Sequence, residues 1–106
     1  AVNVAASSAG DAYTYIPPPE MWALTPGAAY LHFTSNNTIY GTQFAATPQA
    51  DVPLVCAASS DFLSRPIETD RYGLLYAGAQ KNVGPSGVTI VAVRESFLGR
   101  GVPGLP

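Results

Sequence analysis

Four short apolar runs dominate the pattern of the chain, at residues 28–33, 52–57, 72–78 and 88–93. Each is apolar at nearly every position, which is typical of a strand that is covered on both faces, as in a parallel sheet. The last run is also rich in β-branched residues, which favour strands. The pattern therefore predicts a buried sheet of about four strands.

The segments between these runs carry turn and loop signals, and amphipathic helices are almost absent. Prolines at 17–19 block regular structure, and residues 19–24 predict one or two helical turns with proline at the start. Asn36-Asn37 predicts a turn, followed by a weakly extended segment over 38–44. The remaining connections are predicted as loops, tight turns or a helix start at 47–51, 66–72 and 96–99. We expect the two ends, 1–12 and 100–106, to be flexible.

The composition is typical of a segment whose surface is covered by other parts of a larger protein. In 106 residues, which allow one domain at most, 47% are hydrophobic and only 11% are charged, whereas about a quarter is usual in soluble domains. The net charge of −2 argues against nucleic acid as a partner. No run approaches the roughly 20 apolar residues of a membrane span. One cysteine, Cys56, excludes an internal disulfide, and with no basic segment at the N-terminus we expect a cytoplasmic protein.

Lys81 is the only lysine, and it follows a predicted strand and precedes a Gly/Pro-rich loop. Loops at strand ends hold the chemistry of α/β folds, so a lone amine there is a candidate nucleophile. The alternative is a surface lysine at a turn. Cys56 could likewise act with His32, the only histidine, but a buried hydrophobic role fits its apolar surroundings better.

Three stretches then point to a family: 34–42 (TSNNTIYGT), 59–67 (SSDFLSRPI) and 72–87, which contains GAQKN followed by Gly84-Pro85. In content, order and spacing they resemble phosphoserine aminotransferases, which are fold-type I pyridoxal 5′-phosphate (PLP) enzymes. The resemblance runs from about residue 13 to 99, and the family's chains are several times longer. It implies an α/β fold class, with residues 1–106 forming a single segment of the PLP-binding large domain. That segment holds a partial, mostly parallel sheet, three strands parallel and the fourth antiparallel.

The resemblance also implies site residues. Lys81 matches the lysine that binds PLP covalently and moves a proton during the reaction. Gln80 matches a residue that hydrogen-bonds the cofactor phosphate, and Thr38 matches the threonine whose hydroxyl faces the cofactor ring. Ala57 is a departure, because the family has an aspartate there that pairs with the ring nitrogen. Asp61 is no obvious substitute, because it lies four residues further on, beyond the strand.

Two functions remain open at this point. The resemblance implies amino transfer between glutamate and 3-phosphohydroxypyruvate in serine biosynthesis, with phosphoserine and 2-oxoglutarate as the other substrates and a homo-oligomeric enzyme. The alternative is a catalytically inactive fragment or remnant that acts as a structural, self-associating module. Lys81 with Gln80 favours the enzyme, whereas Ala57 and the short length favour the module.

Overall fold

The computed structural model describes residues 1–99, and the predicted flexible tail at 100–106 lies outside this range. The strands are β1 (Leu31–Thr34), β2 (Asn36–Asn37), β3 (Thr42–Gln43), β4 (Leu54–Ala57), β5 (Tyr72–Gly78) and β6 (Thr89–Val93). Among the described residues the helical segments are all short 3-10 turns: Ala9–Asp11, Pro19–Met21, Thr69–Arg71 and Glu95–Phe97.

The main sheet has the order β1-β4-β5-β6. β1, β4 and β5 are parallel, and β6 runs antiparallel to β5. This confirms the predicted sheet and its strand directions. The register shifts between Leu54 and Val55, so that the first pairs with Tyr72 and the second with Leu74.

A small antiparallel hairpin, formed by β2 and β3, follows β1. Here the prediction of a turn at Asn36-Asn37 is wrong, because both residues pair with β3. The turn lies at 38–41 instead, and the Asn37 side chain accepts hydrogen bonds from the Ile39 and Tyr40 backbone N–H groups. Gly41 completes the turn at φ 71°, a backbone conformation that glycine adopts without steric cost.

The core lies on one face of the main sheet. Cys56 is 1% exposed and forms the core with Ala58 and Leu75, and a ring of larger, partly buried side chains packs around them: Phe33, Phe62, Ile67 and Tyr72. On the opposite face Val55 is buried in the middle of the sheet, and the outer strands are exposed, with Val91 on β6 at 55%.

The N-terminal segment lies against the residues that precede β1. The Asn3 side chain donates to Thr25 Oγ1 at 2.8 Å, and the Ala23 N–H donates to the Ala5 carbonyl. Ser8, which is buried, donates through its hydroxyl to the Tyr15 carbonyl at 2.6 Å. These bonds hold the segment against residues 15–25, and the expectation that residues 1–12 are flexible stays a prediction.

Candidate functional site

Because β1, β4 and β5 are parallel, their carboxyl ends lie side by side at one end of the sheet, which we call the carboxyl edge. In open α/β sheets this edge is where ligands bind. The loop after β1 contains the β2–β3 hairpin with Thr38, and the loop after β5 contains Gln80 and Lys81. Ala57 is the last residue of β4, between them. The topology therefore brings all four predicted site residues to the same edge.

Lys81 and Thr38 are in direct contact. Lys81 Nζ donates a hydrogen bond to Thr38 Oγ1 at 2.9 Å, although the two residues are 43 positions apart in the chain. Both side chains are exposed, so the amine is held in place but remains accessible to a ligand. An anchored, accessible amine beside a hydroxyl is suited to bind and react with a carbonyl group.

Gln80 folds back over the end of β5. A Cβ added at Gly78 would lie 2.6 Å from Gln80 Oε1, so the glycine leaves the space that this side chain occupies. The Gly78 N–H donates to Ser59 Oγ at 2.9 Å, which fixes the start of the turn. Gln80 therefore presents its amide on the same short turn as Lys81.

Ala57 lies in a row of three side chains on the face of the sheet opposite the core. It pairs with Thr34 on β1 and with Tyr76 on β5. Tyr76 leans across β4, and its hydroxyl lies 3.0 Å from His32 Nε2. Ala57 itself offers only a methyl group, which cannot accept or donate a hydrogen bond.

The carboxylate of Asp61 does not take the place of a group at Ala57. Asp61 is buried, and its oxygens accept hydrogen bonds from Ser35 Oγ and, at 3.2 Å, from Gln43 Nε2. Arg65 Nη2 lies 3.8 Å from the same carboxylate. These partners account for both carboxylate oxygens and keep Asp61 on the inner side of the loop.

Cys56 is excluded as a nucleophile by its surroundings. Burial raises the pKa of its thiol to about 11, and hydrogen bonding with Ser35 offsets this only in part. His32 pairs with Val55, one position before Cys56, so the two side chains point to opposite faces of the sheet. The alternative of a Cys56–His32 pair is therefore wrong.

The residues that the sequence reasoning missed are the two serines after β4. Ser60 Oγ donates to the Asn36 carbonyl at 2.8 Å and accepts from Asn36 Nδ2 at 2.9 Å. Ser59 Oγ accepts a hydrogen bond from the Gly78 N–H at the end of β5. The available signal was a polar run directly after a buried strand.

Two other kinds of site find no support between residues 1 and 99. No group of three or more histidine, cysteine, aspartate or glutamate side chains there could hold a metal ion. In the same part of the chain, no helix reaches the length and apolarity that crossing a membrane requires.

Comparisons with known proteins agree on one family. The model of the family "aminotransferase class-V" matches residues 4–105. The phosphoserine aminotransferase of Laribacter hongkongensis is 52% identical over 105 residues, which cover 99% of this chain and 29% of that protein. The chain thus spans less than a third of the length of the curated relatives it matches.

Solved structures show the same relationship. The phosphoserine aminotransferase from Bacillus circulans subsp. alkalophilus superposes with a TM-score of 0.89 at 51% identity, over 98% of this chain and 29% of that one. The PLP-bound phosphoserine aminotransferase from Trichomonas vaginalis superposes with a TM-score of 0.80 at 39% identity, over 88% of this chain and 28% of that one. The partial α/β sheet is therefore the fold of this segment in those enzymes.

Proposed function

Because the chain belongs to the aminotransferase class-V family, we propose that it forms the lysine-bearing segment of a PLP-dependent phosphoserine aminotransferase. The whole enzyme transfers an amino group between glutamate and 3-phosphohydroxypyruvate in serine biosynthesis. The observation that supports this most directly is the contact of Lys81 Nζ with Thr38 Oγ1 at the carboxyl edge of the sheet.

The groups at this edge fit a phosphorylated aromatic aldehyde at three of the four predicted positions. Lys81 offers an amine, Thr38 a hydroxyl and Gln80 an amide, and Gly78 leaves the turn free of a side chain that would crowd Gln80. When bound, PLP supplies an aldehyde that reacts with amines and a ring that withdraws electrons from the substrate. The fourth position, Ala57, does not fit, because its methyl group cannot hold a proton at the ring nitrogen.

Each of the fitting residues has a definite task in this proposal. Lys81 Nζ would hold the cofactor as a nucleophile, and as a free amine it would move a proton at the substrate carbon. Thr38 Oγ1 accepts from Nζ and so fixes where the amine stands. The Gln80 amide would donate to the phosphate. The remaining substrate contacts come from parts of the enzyme outside this segment.

Substrates and partners follow from the same proposal. We infer phosphoserine, 2-oxoglutarate and glutamate as the small-molecule substrates, and a homo-oligomer as the working form. The exposed apolar face with Val91 supports association with more protein, since large exposed apolar areas mark interfaces. The free, buried thiol of Cys56 is compatible with the reducing cytoplasm in which we place the enzyme.

A labelling experiment tests the cofactor site. The chain is mixed with PLP, reduced with borohydride and digested, and mass spectrometry locates the adduct. We expect the adduct on Lys81 in preference to the α-amino group of Ala1, and a visible absorbance band that borohydride removes. Lys81→Gln should leave only the N-terminal label. Labelling of the wild-type chain at Ala1 alone would remove the case for a cofactor site.

The second candidate, an inactive module of the same fold, is favoured by one observation, the methyl group of Ala57 at the end of β4. An inactive module predicts self-association without selective labelling of Lys81. Because both functions predict self-association, selective labelling of Lys81 is the result that separates them.

A further inference from the structure

Three polar residues follow Ala58 beyond the end of β4: Ser59, Ser60 and Asp61. They lie between the loop that holds Lys81 and the hairpin that holds Thr38. We call Ser59, Ser60 and Asp61 the bridge. Toward β5, Ser59 Oγ accepts the Gly78 N–H at 2.9 Å, directly before the turn of Lys81. This bond ties one end of the bridge to the strand that delivers the amine.

Toward the hairpin, the bridge makes two pairs of contacts. Ser60 exchanges two hydrogen bonds with Asn36, the first residue of β2. Asp61 accepts from Gln43 on β3 at 3.2 Å and from Ser35, which immediately precedes β2. Both strands of the hairpin are therefore bonded to the bridge.

The hairpin needs such support because it is too small to be rigid alone. β2 and β3 have two residues each and form a sheet separate from the four-stranded one. An isolated two-stranded hairpin is marginally stable at best. The position of Thr38, in the turn of this hairpin, thus depends on what anchors the two strands.

We propose that the bridge is a positioning element that sets the contact between Lys81 and Thr38, with Asp61 as its principal residue. Asp61 is 9% exposed, and hydrogen bonds to charged groups are stronger than neutral ones. Its loss also leaves Gln43 Nε2 without this acceptor and leaves Ser35 Oγ with the Ala57 carbonyl, at 3.2 Å, as its remaining acceptor. The significance of this contact for amino transfer rests on the proposed function, whereas the contact itself does not require a cofactor.

The test measures how fast Lys81 reacts with a probe that has neither a ring nor a phosphate. Formaldehyde with cyanoborohydride methylates amines, and mass spectrometry gives the rate at Lys81 relative to the α-amino group of Ala1 in the same chain. An amine that donates to Thr38 must give up this bond to react. In Asp61→Ala we expect the relative rate at Lys81 to rise about two- to tenfold, the value of one ordinary hydrogen bond.

Two variants show whether the effect belongs to the bridge. Asp61→Asn can still accept from Ser35, and after the Gln43 amide turns over, the new side-chain amide can donate to Gln43. We therefore expect this variant to bring the rate back from that of Asp61→Ala toward the wild-type value. Asp51→Ala removes an exposed aspartate elsewhere and should leave the rate unchanged. Amide hydrogen exchange should rise in the hairpin of Asp61→Ala and stay unchanged in β5.

If Asp61→Ala unfolds the whole chain, Ser60→Ala serves instead, because it removes only the bonds to Asn36, and the same rise is expected. An unchanged rate at Lys81 in a folded Asp61→Ala or Ser60→Ala overturns the proposal, and so does failure of Asp61→Asn to restore the rate. These outcomes do not depend on PLP. The proposed function can therefore fail in the PLP labelling while the positioning role holds, or the reverse.

Discussion

Restoring a carboxylate at the end of β4 tests the interpretation of the site most sharply. The change is Ala57→Asp, with Ala57→Asn as a control of nearly the same shape but without charge. Ala57 is half-buried, and its neighbour Thr34 on the same face is exposed, so the new side chain keeps contact with water. We expect a cost to folding of roughly 1 kcal/mol or less, the range of strand preferences.

The expected gain follows from the position of residue 57. It stands at the carboxyl edge, at the end of β4, whose neighbours β1 and β5 lead into the loops of Thr38 and Lys81. A hydrogen bond with a charged partner contributes roughly 1.5–3 kcal/mol, which corresponds to PLP retention about 10- to 150-fold tighter. Loss of a preorganised electrostatic partner lowers rates by on the order of 10²–10³. The aspartate should therefore raise the rate of the first half-reaction by a similar factor.

The assay needs the rest of the active site. Residues 1–106 replace the matching 29% of the Laribacter hongkongensis phosphoserine aminotransferase, and the chimera is prepared in three forms: unchanged at Ala57, with Ala57→Asp and with Ala57→Asn. Dialysis measures PLP retention, and stopped-flow absorbance measures single-turnover half-transamination with glutamate. We expect aspartate to exceed both alanine and asparagine.

Equal half-transamination rates with alanine and aspartate would show that the assignment of residue 57 is wrong. A gain that asparagine shares with aspartate would refute the electrostatic argument, because then shape rather than charge would be responsible. Residues 1–106 by themselves should have negligible transaminase activity, since on the proposed assignment nothing at position 57 keeps the ring nitrogen protonated and the other substrate contacts are absent.

Three further predictions concern the segment itself. The free chain should self-associate in sedimentation, because Val91 and its face are exposed, and Val91→Lys should weaken the association. Gly73→Ala should lower the free energy of unfolding by roughly 1–3 kcal/mol in denaturant titrations, because its Cβ would lie 3.1 Å from Pro53 Cβ, whereas Gly84→Ala meets nothing within 4 Å and should cost much less. Burial raises the pKa of the Cys56 thiol to about 11, so its contribution to the free energy of unfolding should be fully present below pH 9 and be lost as the pH rises toward 11. In Cys56→Ala the free energy of unfolding should fall less over this pH range.

Each of these has a clear contrary result. A compact monomer at high concentration would contradict the self-association. Equal stabilities of Gly73→Ala and Gly84→Ala would mean that the packing around Gly73 yields easily. The Cys56 thiol loses stability with rising pH because its pKa in the folded chain lies above that in the unfolded chain. If the free energy of unfolding falls equally in the wild type and in Cys56→Ala between pH 9 and 11, the burial argument is wrong.

The sheet could be predicted from the sequence because its strands are continuous apolar runs, and β5 has the predicted bounds, Tyr72–Gly78. β1 and β4 start later than their apolar runs. Pro53 has no N–H to give to a ladder, so β4 begins at Leu54, and Leu31 pairs with it. The limits of these two strands are set by pairing, which apolarity alone does not show.

The hairpin and the site could be predicted only in part. Asn36 has a low strand preference, and it forms β2 because Ser60 bonds to it from a segment 24 residues away. Family resemblance named Lys81 and Thr38, but no spacing rule brings together two residues that are 43 positions apart. Such contacts depend on the complete tertiary structure and leave no local signature.

The parallel arrangement of β1, β4 and β5 also has a kinetic consequence. Leu31 pairs with Leu54 and Val55 with Leu74, so each pairing closes a loop of about twenty residues, an entropic cost that must be met before the contacts form. Sheets built in this way fold slowly compared with helical bundles. The contact between Lys81 and Thr38 spans both loops, so the reactivity of the Lys81 amine during refolding should report when the two ends of the segment have come together.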